Sequence, residues 1–489
     1  MPSIKLKNFI KEIVIYNFGG TLGKFVGIIL VPVFTRVFSP YEYGIIDLIA
    51  TTLLLLNILL TLGIDQGMAR YYIDTDDPQE KRLIASTGFH FIFIFSVITY
   101  LILVLYTNHL SQLILGDRIY STILIMALAS IPFSVMLNYC INILKWSFKA
   151  KHYAIVSVST LFVETVLTIY LVMIQKIGLI GVYLSRLITV VIFSFICFYL
   201  TRNNFSSGFS FVRLKALLYF GLPTIPFAFS HYLMTYSDRY FLKFYSGLEA
   251  VGLYGVAYML ASILSLPLIG FQNAWGPYFF SIYKHRDAPE TVARIFNYCS
   301  TFICILFVLI SLNAKELLTI LTTKKYEEAY LVTPLIMLSL IVYFFSGYFS
   351  VGIGVEKKTY HQAWSGILTA IINFILNFLL IPAYGMIGAA VATVISFLVL
   401  GWILMRISQK YYYIPYRFNS NFIMYLIAGI IIILGYKFLL HVSLAGFYLK
   451  LLLWGCFIYI PFLLKIVKLN DITNLKNLIF KMSPINGKS

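Results

Sequence analysis

Long apolar segments follow one another along almost the whole chain, and only short polar links separate them. The hydrocarbon core of a bilayer is about 30 Å thick, so a helix needs roughly 20 apolar residues to cross it. The pattern predicts fourteen membrane-spanning helices and leaves no room for a soluble catalytic domain. The predicted spans are residues 13–36, 43–69, 83–107, 119–144, 153–175, 180–200, 214–242, 250–276, 292–312, 329–354, 362–382, 385–407, 420–440 and 444–467.

The composition supports the same fold class. The chain is 60% hydrophobic and 11% charged, whereas soluble domains carry roughly 25% charged residues. We therefore expect an all-α polytopic membrane protein. The five cysteines lie within apolar segments and show no metal-binding spacing. No phosphate-binding glycine loop or nucleophile motif is present, so we expect neither a cofactor nor a catalytic site.

The net charge of +18 reflects membrane topology and not nucleic-acid binding. With the N-terminus in the cytoplasm, 25 of the 37 basic residues lie in or beside the links predicted on that side. This is the positive-inside bias of membrane proteins. It predicts that both termini are cytoplasmic, and it favours contact with anionic membrane lipids.

Two pairs of similar segments indicate an internal repeat. Residues 38–45 resemble residues 245–256, and aligning their Tyr-Gly pairs gives an offset of 211; residues 178–182 resemble residues 385–389 at an offset of 207. A parallel repeat of six spans is a common plan in transporters. It predicts an N-terminal lobe (1–212), a C-terminal lobe (213–418) and an appended part (419–489). The alternative is that both matches reflect only the way tight re-entry turns are built.

Five segments carry a resemblance to a known family: Asp238–Leu242, Val251–Tyr258, Asn373–Asn377, Ile381–Ala390 and Ser39–Gly44. In these segments the chain resembles the flippases of polysaccharide repeat units. The resemblance extends over about residues 10–410. It is to the O-antigen and capsule flippases, which belong to a larger superfamily that also includes multidrug exporters and the lipid II flippase. It implies transport of an undecaprenyl-pyrophosphate-linked oligosaccharide across the bacterial cytoplasmic membrane, with a polysaccharide polymerase and chain-length proteins as candidate partners.

Four basic residues are candidates for binding the phosphates of such a substrate. A charge in mid-membrane costs roughly 2.5–3.5 kcal/mol on insertion scales and needs a reason to be there. Arginine offers a bidentate fork to a phosphate, and lysine a compact charge. Lys24 could instead pair with Glu164, and the two arginines nearest the outer face could be interfacial anchors. The candidates are Lys24, Arg36, Arg186 and Arg239.

Four acidic residues are candidates for coupling transport to H⁺ or Na⁺, or for structural ion pairs. Asp47 and Asp65 are 18 residues apart, which is five helical turns, so a continuous helix would place them on one face. Asp65 could instead pair with Arg70 or Arg82. The candidates are Asp47, Asp65, Glu164 and Asp238.

Three functional classes remain open at this level. A flippase agrees with the basic mid-span residues, whereas a cation-coupled multidrug exporter would favour an acidic cavity. A membrane-embedded polymerase or glycosyltransferase would need a larger loop than any predicted here.

Pro223 and Pro226 lie within one turn of the predicted seventh span, where they could form a hinge.

Overall fold

The computed structural model describes residues 27, 29–147, 149–416, 418–439 and 444–467, so Lys24 lies outside the described residues. All regular structure in these ranges is helical, which confirms the predicted fold class. After helical residues 29–37, the α-helices are α1 (Pro40–Thr61), α2 (Ile64–Asp74), α3 (Pro78–Leu105), α4 (Thr107–Ile114), α5 (Ser121–Trp146), α6 (Ala150–Ile169), α7 (Leu179–Thr201), α8 (Phe211–Gly221), α9 (Ile225–Ser262), α10 (Ser265–Ile282), α11 (Ala288–Leu312), α12 (Ala314–Leu321), α13 (Thr333–Phe349), α14 (Val351–Val355), α15 (Tyr360–Tyr411), α16 (Phe418–Phe438), α17 (Leu444–Phe457) and α18 (Ile460–Leu463).

Eleven helical segments of the described chain are long and apolar enough to cross a membrane, as expected for a multi-pass membrane protein. Two of them, residues 211–262 and 360–411, are 52 residues long, about twice the length that one crossing needs. Each contains a non-helical glycine, Gly247 with φ 86° and Gly385 with φ 52°. Each can therefore turn back and cross twice, but the total of fourteen spans stays a prediction.

The second predicted span is not continuous. Helix α1 ends at Thr61, because Leu62 and Gly63 adopt left-handed backbone angles, with φ of 47° and 67°. A Cβ atom on Gly63 would lie 2.2 Å from the carbonyl oxygen of Gly221, so only glycine fits this contact. Asp65 therefore begins a separate helix, and the argument that placed it on one helical face with Asp47 was wrong.

The first and second halves of the chain meet through two glycines. A Cβ on Gly44 would lie 2.0 Å from the carbonyl oxygen of Leu248, and a Cβ on Gly252 would lie 1.9 Å from that of Pro40. Adding 208 to the numbers of Pro40 and Gly44 gives Leu248 and Gly252, so the contact is reciprocal. This offset is close to the 207 of one pair of similar segments and differs from the 211 of the other. The backbones of α1 and α9 can approach this closely because neither glycine has a side chain.

Hydrogen bonds continue this contact along α1 and α9. The Tyr232 hydroxyl donates to the carbonyl oxygen of Thr51 at 3.1 Å, and the hydroxyls of Thr52 and Tyr240 are 2.9 Å apart. We call this contact between α1 and α9 the interlobe seam. The boundaries of the two lobes themselves stay a prediction.

Proline interrupts the helix that precedes the seam. Helix α8 ends at Gly221, a 3₁₀ turn covers Leu222–Thr224, and α9 begins at Ile225. Pro223 and Pro226 each lie within the first two positions of an element, where a missing backbone N–H costs little. The break is present where the two prolines predict it, and its use as a hinge stays a prediction.

The appended helices pack mainly against α11. The side-chain amide of Asn421 donates to Asn297 at 2.8 Å, and the Tyr436 hydroxyl donates to the carbonyl oxygen of Ser311 at 2.8 Å. In addition, the ammonium of Lys450 lies 2.5 Å from the carboxylate of Glu316, and both side chains are buried. This ion pair attaches α17 to α12.

Candidate functional site

A buried arginine lies between two carboxylates at the interlobe seam. The Nε of Arg239 lies 3.0 Å from Asp47 Oδ2, and its Nη1 lies 2.9 Å from Asp238 Oδ1. The same Nη1 donates to the carbonyl oxygen of Thr235. The side chains of Arg239 and Asp238 are only 2% exposed. We call Asp47, Asp238 and Arg239 the Arg239 cluster; it joins α1 of the first half to α9 of the second.

Three tyrosines surround the guanidinium of Arg239. Its Cζ lies 5.0, 5.5 and 4.8 Å from the ring centres of Tyr236, Tyr254 and Tyr258. Aromatic faces stabilise a cation that has lost its water. The cluster therefore holds its arginine firmly, and with two carboxylates for one guanidinium it is not a cationic surface when both acids are ionised.

Arg186 is not part of this cluster and has no ion-pair partner among the described residues. It belongs to α7 and is half-buried, and its Nε is buried with no hydrogen-bond partner among the described residues. No ion pair to Arg186 is present in that part of the chain. Tyr183, one turn away, is within electrostatic reach of both Arg186 and Asp47, and its hydroxyl donates to the carbonyl oxygen of Ile46.

The other predicted mid-membrane residues are not brought into this cluster. Arg36 is exposed and donates to the carbonyl oxygen of Pro32 at 2.9 Å. Glu164 is half-buried on α6, and its side chain has no hydrogen bond or ion pair with the described residues. Because Lys24 is not described, its predicted pairing with Glu164 stays a prediction.

Asp65 lies on α2, outside the spanning segments, beside the side-chain amide of Asn142. Burial raises the pKa of its carboxyl to about 6, although the hydrogen bond with Asn142 acts in the opposite direction. Arg70, one proposed partner of Asp65, instead pairs with Asp74 at 2.9 Å.

A further polar cluster was not singled out from the sequence. Ser237, next to Asp238 on α9, donates to Asn373 Oδ1 at 3.4 Å, and Asn377 Nδ2 donates to both of them. All three side chains are buried. The two asparagines are four residues apart on α15, and this spacing in an otherwise apolar helix is the signal that could have indicated the cluster.

The arrangement of charges at the seam has one clear mechanical consequence. The two halves of the chain cannot separate along the seam without removing Asp47 from Arg239. After separation, Asp238 still neutralises Arg239, while Asp47 becomes available to another cation or to a proton. The charge distribution therefore changes with the distance between the two halves.

Comparisons with known proteins agree with this architecture. Over 288 residues, the chain is 26% identical to a protein of the Lsg locus of Haemophilus influenzae, a match that covers 56% of this chain and 67% of that one. The fold is similar to that of the lipid II flippase MurJ in an inward closed conformation, with a TM-score of 0.68, 14% identity and coverage of 91% of this chain and 97% of that one. It is also similar to an inward-facing multidrug resistance MATE family transporter, with a TM-score of 0.67, 16% identity and coverage of 81% and 94%.

At these identities the two solved structures establish only the likeness of the fold. The family follows from a separate match, because residues 9–283 fit the family described as polysaccharide biosynthesis protein. This match spans more than half of the chain and confirms the resemblance found in the sequence. The chain therefore belongs to the polysaccharide biosynthesis protein family.

Proposed function

We propose that this protein is a flippase that moves an undecaprenyl-pyrophosphate-linked oligosaccharide from the inner to the outer leaflet of the bacterial cytoplasmic membrane. The family membership and the likeness of the fold to a lipid II flippase support a lipid-linked substrate. In this proposal the two lobes rock about the interlobe seam and expose the binding site to each side in turn. The protein performs no covalent chemistry.

The observation that carries the proposal is the uncompensated charge of Arg186. Arg186 is half-buried, and its buried Nε has no hydrogen-bond partner among the described residues. A phosphate oxygen would satisfy this N–H donor with a charge-assisted hydrogen bond. Arg186 lies on α7 one turn from Tyr183, whose hydroxyl donates to the carbonyl oxygen of Ile46 on α1. We assign it the role of holding the pyrophosphate while the oligosaccharide crosses.

The Arg239 cluster has a different role in this proposal. Arg239 already has two carboxylate partners, so it acts chiefly as a lock between the lobes. Arg36 and Lys24 remain candidate phosphate contacts. Asp47, Asp65, Glu164 and Asp238 remain candidate groups for coupling to H⁺ or Na⁺, with Asp47 the first choice because opening the seam would expose it.

The test is complementation of a strain that lacks the protein, with surface polysaccharide as the readout. We expect Arg186→Ala to lose most of the polysaccharide, and Arg186→Lys to retain part of it, since lysine keeps the charge and lacks the bidentate fork. Removal of a phosphate contact should cost about 1.5–3 kcal/mol, or roughly a tenfold to hundredfold loss of transport rate.

Arg202→Ala is the matched control, because Arg202 is exposed and packs on the ring of Tyr199 at 4.0 Å. The Arg186 variants and the Arg202→Ala control must all reach the membrane at the level of the unmodified protein, measured by immunoblot. Full polysaccharide from a well-expressed Arg186→Ala variant would remove Arg186 from the mechanism.

A further inference from the structure

A polar pocket lies between α11, the start of α16 and the end of α18, away from the interlobe seam. Its volume is about 730 Å³. Two basic residues, Arg294 and Lys465, are among its lining residues, together with one acidic residue, Glu290. We call it the α11–α16 pocket. It lies on the side of the membrane that the positive-inside bias assigns to the cytoplasm.

The charged side chains of this pocket are not neutralised by other residues of the described protein. No ion pair to Glu290, Arg294 or Lys465 is present among the residues that the structure describes, and all three side chains are exposed. Glu290 lies in the first turn of α11, where the positive end of the helix dipole favours an acid. The two cations have no such compensation, so the pocket attracts an anion.

The lining of the pocket also supplies hydrogen-bond donors. Asn297 Oδ1 accepts from the buried amide of Asn421, which fixes α11 against α16. This leaves the Nδ2 of Asn297 without a partner in the described part of the chain. Ser420 contributes a hydroxyl to the same lining. Amide and hydroxyl donors beside two cations suit the oxygens of a phosphate.

The surroundings of the pocket indicate where that phosphate comes from. Phe422 follows the lining residue Asn421 and is 68% exposed, and Leu463 precedes the lining residue Leu464 and is 78% exposed. Both belong to segments apolar enough to span the membrane, where exposed apolar side chains would meet acyl chains. A ligand with a phosphate in the pocket and apolar chains along these side chains is a membrane lipid. Basic pockets between spanning helices on the cytoplasmic side are known to bind such head groups.

We propose that the α11–α16 pocket binds the phosphate head group of an anionic phospholipid of the inner leaflet, and that Arg294 and Lys465 are its charged contacts. The site is separate from the interlobe seam and does not depend on which substrate the protein transports. A bound lipid would join α11 to the appended helices α16 and α18.

The experiment measures lipid retention by the purified full-length protein in native mass spectrometry. The probes are phosphatidylglycerol and the zwitterionic phosphatidylcholine, each added at matched concentration. We expect the unmodified protein to retain phosphatidylglycerol at least fivefold more strongly than phosphatidylcholine. The double variant Arg294→Gln/Lys465→Gln should lose this preference, and Arg294→Lys/Lys465→Arg should keep most of it.

Arg286→Gln is the matched control, because Arg286 is a nearby exposed basic residue that does not line the pocket. It should retain the preference for phosphatidylglycerol. The proposal is overturned if the glutamine double variant prefers phosphatidylglycerol as strongly as the unmodified protein does, while its melting temperature in phosphatidylcholine is unchanged. A second experiment adds 10 mM inorganic phosphate in place of the lipid and measures the melting temperature. If phosphate alone raises the melting temperature as much as phosphatidylglycerol does, the site binds a free anion and the lipid proposal is overturned.

Discussion

Arg239 shows how a single charged residue can be both buried and structurally useful. Its guanidinium has two carboxylate partners and three aromatic neighbours, and these contacts counteract the cost of removing the charge from water. The partners are unequal, however. Asp238 is adjacent in sequence and stays with Arg239 whatever the lobes do, whereas Asp47 belongs to the other half of the chain.

This inequality leads to a prediction about stability. Arg239→Met leaves two carboxylates without a counter-charge and should cost about 3–5 kcal/mol of unfolding free energy. Asp47→Asn leaves Arg239 paired with Asp238 and should cost much less. The measurement is chemical unfolding of the purified protein in detergent, with Arg202→Met as the control. Equal losses for the Arg239 and Asp47 variants would contradict the assignment of the cluster.

Asp65 gives a prediction with a defined pH range. Its folded-state pKa of about 6 lies above its usual value of 3.8, so the native state holds a proton that the unfolded chain has already released. Stability should therefore fall as pH rises from about 4 to about 6, and the lost stability, about 3 kcal/mol for two pKa units, should stay lost above pH 6.

Asp65→Asn removes this ionisation and retains an oxygen that can accept from Asn142. The variant should be more stable than the unmodified protein at pH 8 and no more stable at pH 4, by chemical unfolding in detergent. Asp76→Asn, on an exposed link, is the control for a general effect of charge. A gain of the same size at both pH values would show that the ionisation of Asp65 is not responsible.

At the scale of elements, the sequence predicts positions well where local chemistry decides them. Ser39 and Glu42 form a reciprocal capping box, a local signal that places the start of α1 at Pro40, three residues before the predicted span 43–69. The turn at Gly247 lies between the predicted spans 214–242 and 250–276, and the turn at Gly385 lies at the start of the predicted span 385–407. In contrast, the end of α1 at Leu62 could not be predicted, because Gly63 breaks the helix to meet Gly221, 158 residues later.

Gly252 gives a prediction at this scale. A Cβ here would lie 1.9 Å from the carbonyl oxygen of Pro40, so Gly252→Ala must push α1 and α9 apart. We expect a loss of at least about 1–3 kcal/mol, the usual cost of overpacking, and reduced surface polysaccharide. Gly270→Ala on α10 meets no atom within 4 Å and should be neutral or slightly stabilising. Unfolding and complementation assays would show the difference; neutral behaviour at Gly252 would mean that the seam tolerates separation.

For the whole molecule, the sequence indicates the halves but not how they meet. The repeat predicts two lobes from similar segments about 207 to 211 residues apart, whereas the contacts relate Pro40 and Gly44 to Leu248 and Gly252 at 208. The partner of Arg239 is 192 residues away. Pairing over such a distance depends on the packing of whole helices, which no local pattern encodes. The same reason explains why the sequence indicates Arg186 as a cation within a span but not its lack of an ion-pair partner among the described residues.

If transport requires the lobes to move about the interlobe seam, then a covalent bond between them should stop it. A Cβ on Gly67 of α2 would lie 3.0 Å from the Cα and 2.6 Å from the carbonyl oxygen of Leu217 on α8. The pair Gly67→Cys and Leu217→Cys can therefore form a disulfide only after the two helices shift slightly apart, and the reduced variant must be shown to transport before it is oxidised. In a background without the native cysteines, oxidation of this pair should abolish transport, and a reducing agent should restore it. The control pair, Leu171→Cys and Gly181→Cys, lies within the first lobe, where the ideal Cβ of Gly181 is 3.3 Å from the Cβ of Leu171.

Both pairs must be shown by gel mobility to be oxidised before transport is measured. A block specific to the pair between the lobes would separate rocking of the lobes from any mechanism in which the substrate crosses a static protein. Loss of transport in both pairs would indicate that oxidation damages the fold. Full transport with the pair between α2 and α8 completely cross-linked would rule out movement there. In that case the substrate would have to cross without separation of α2 from α8.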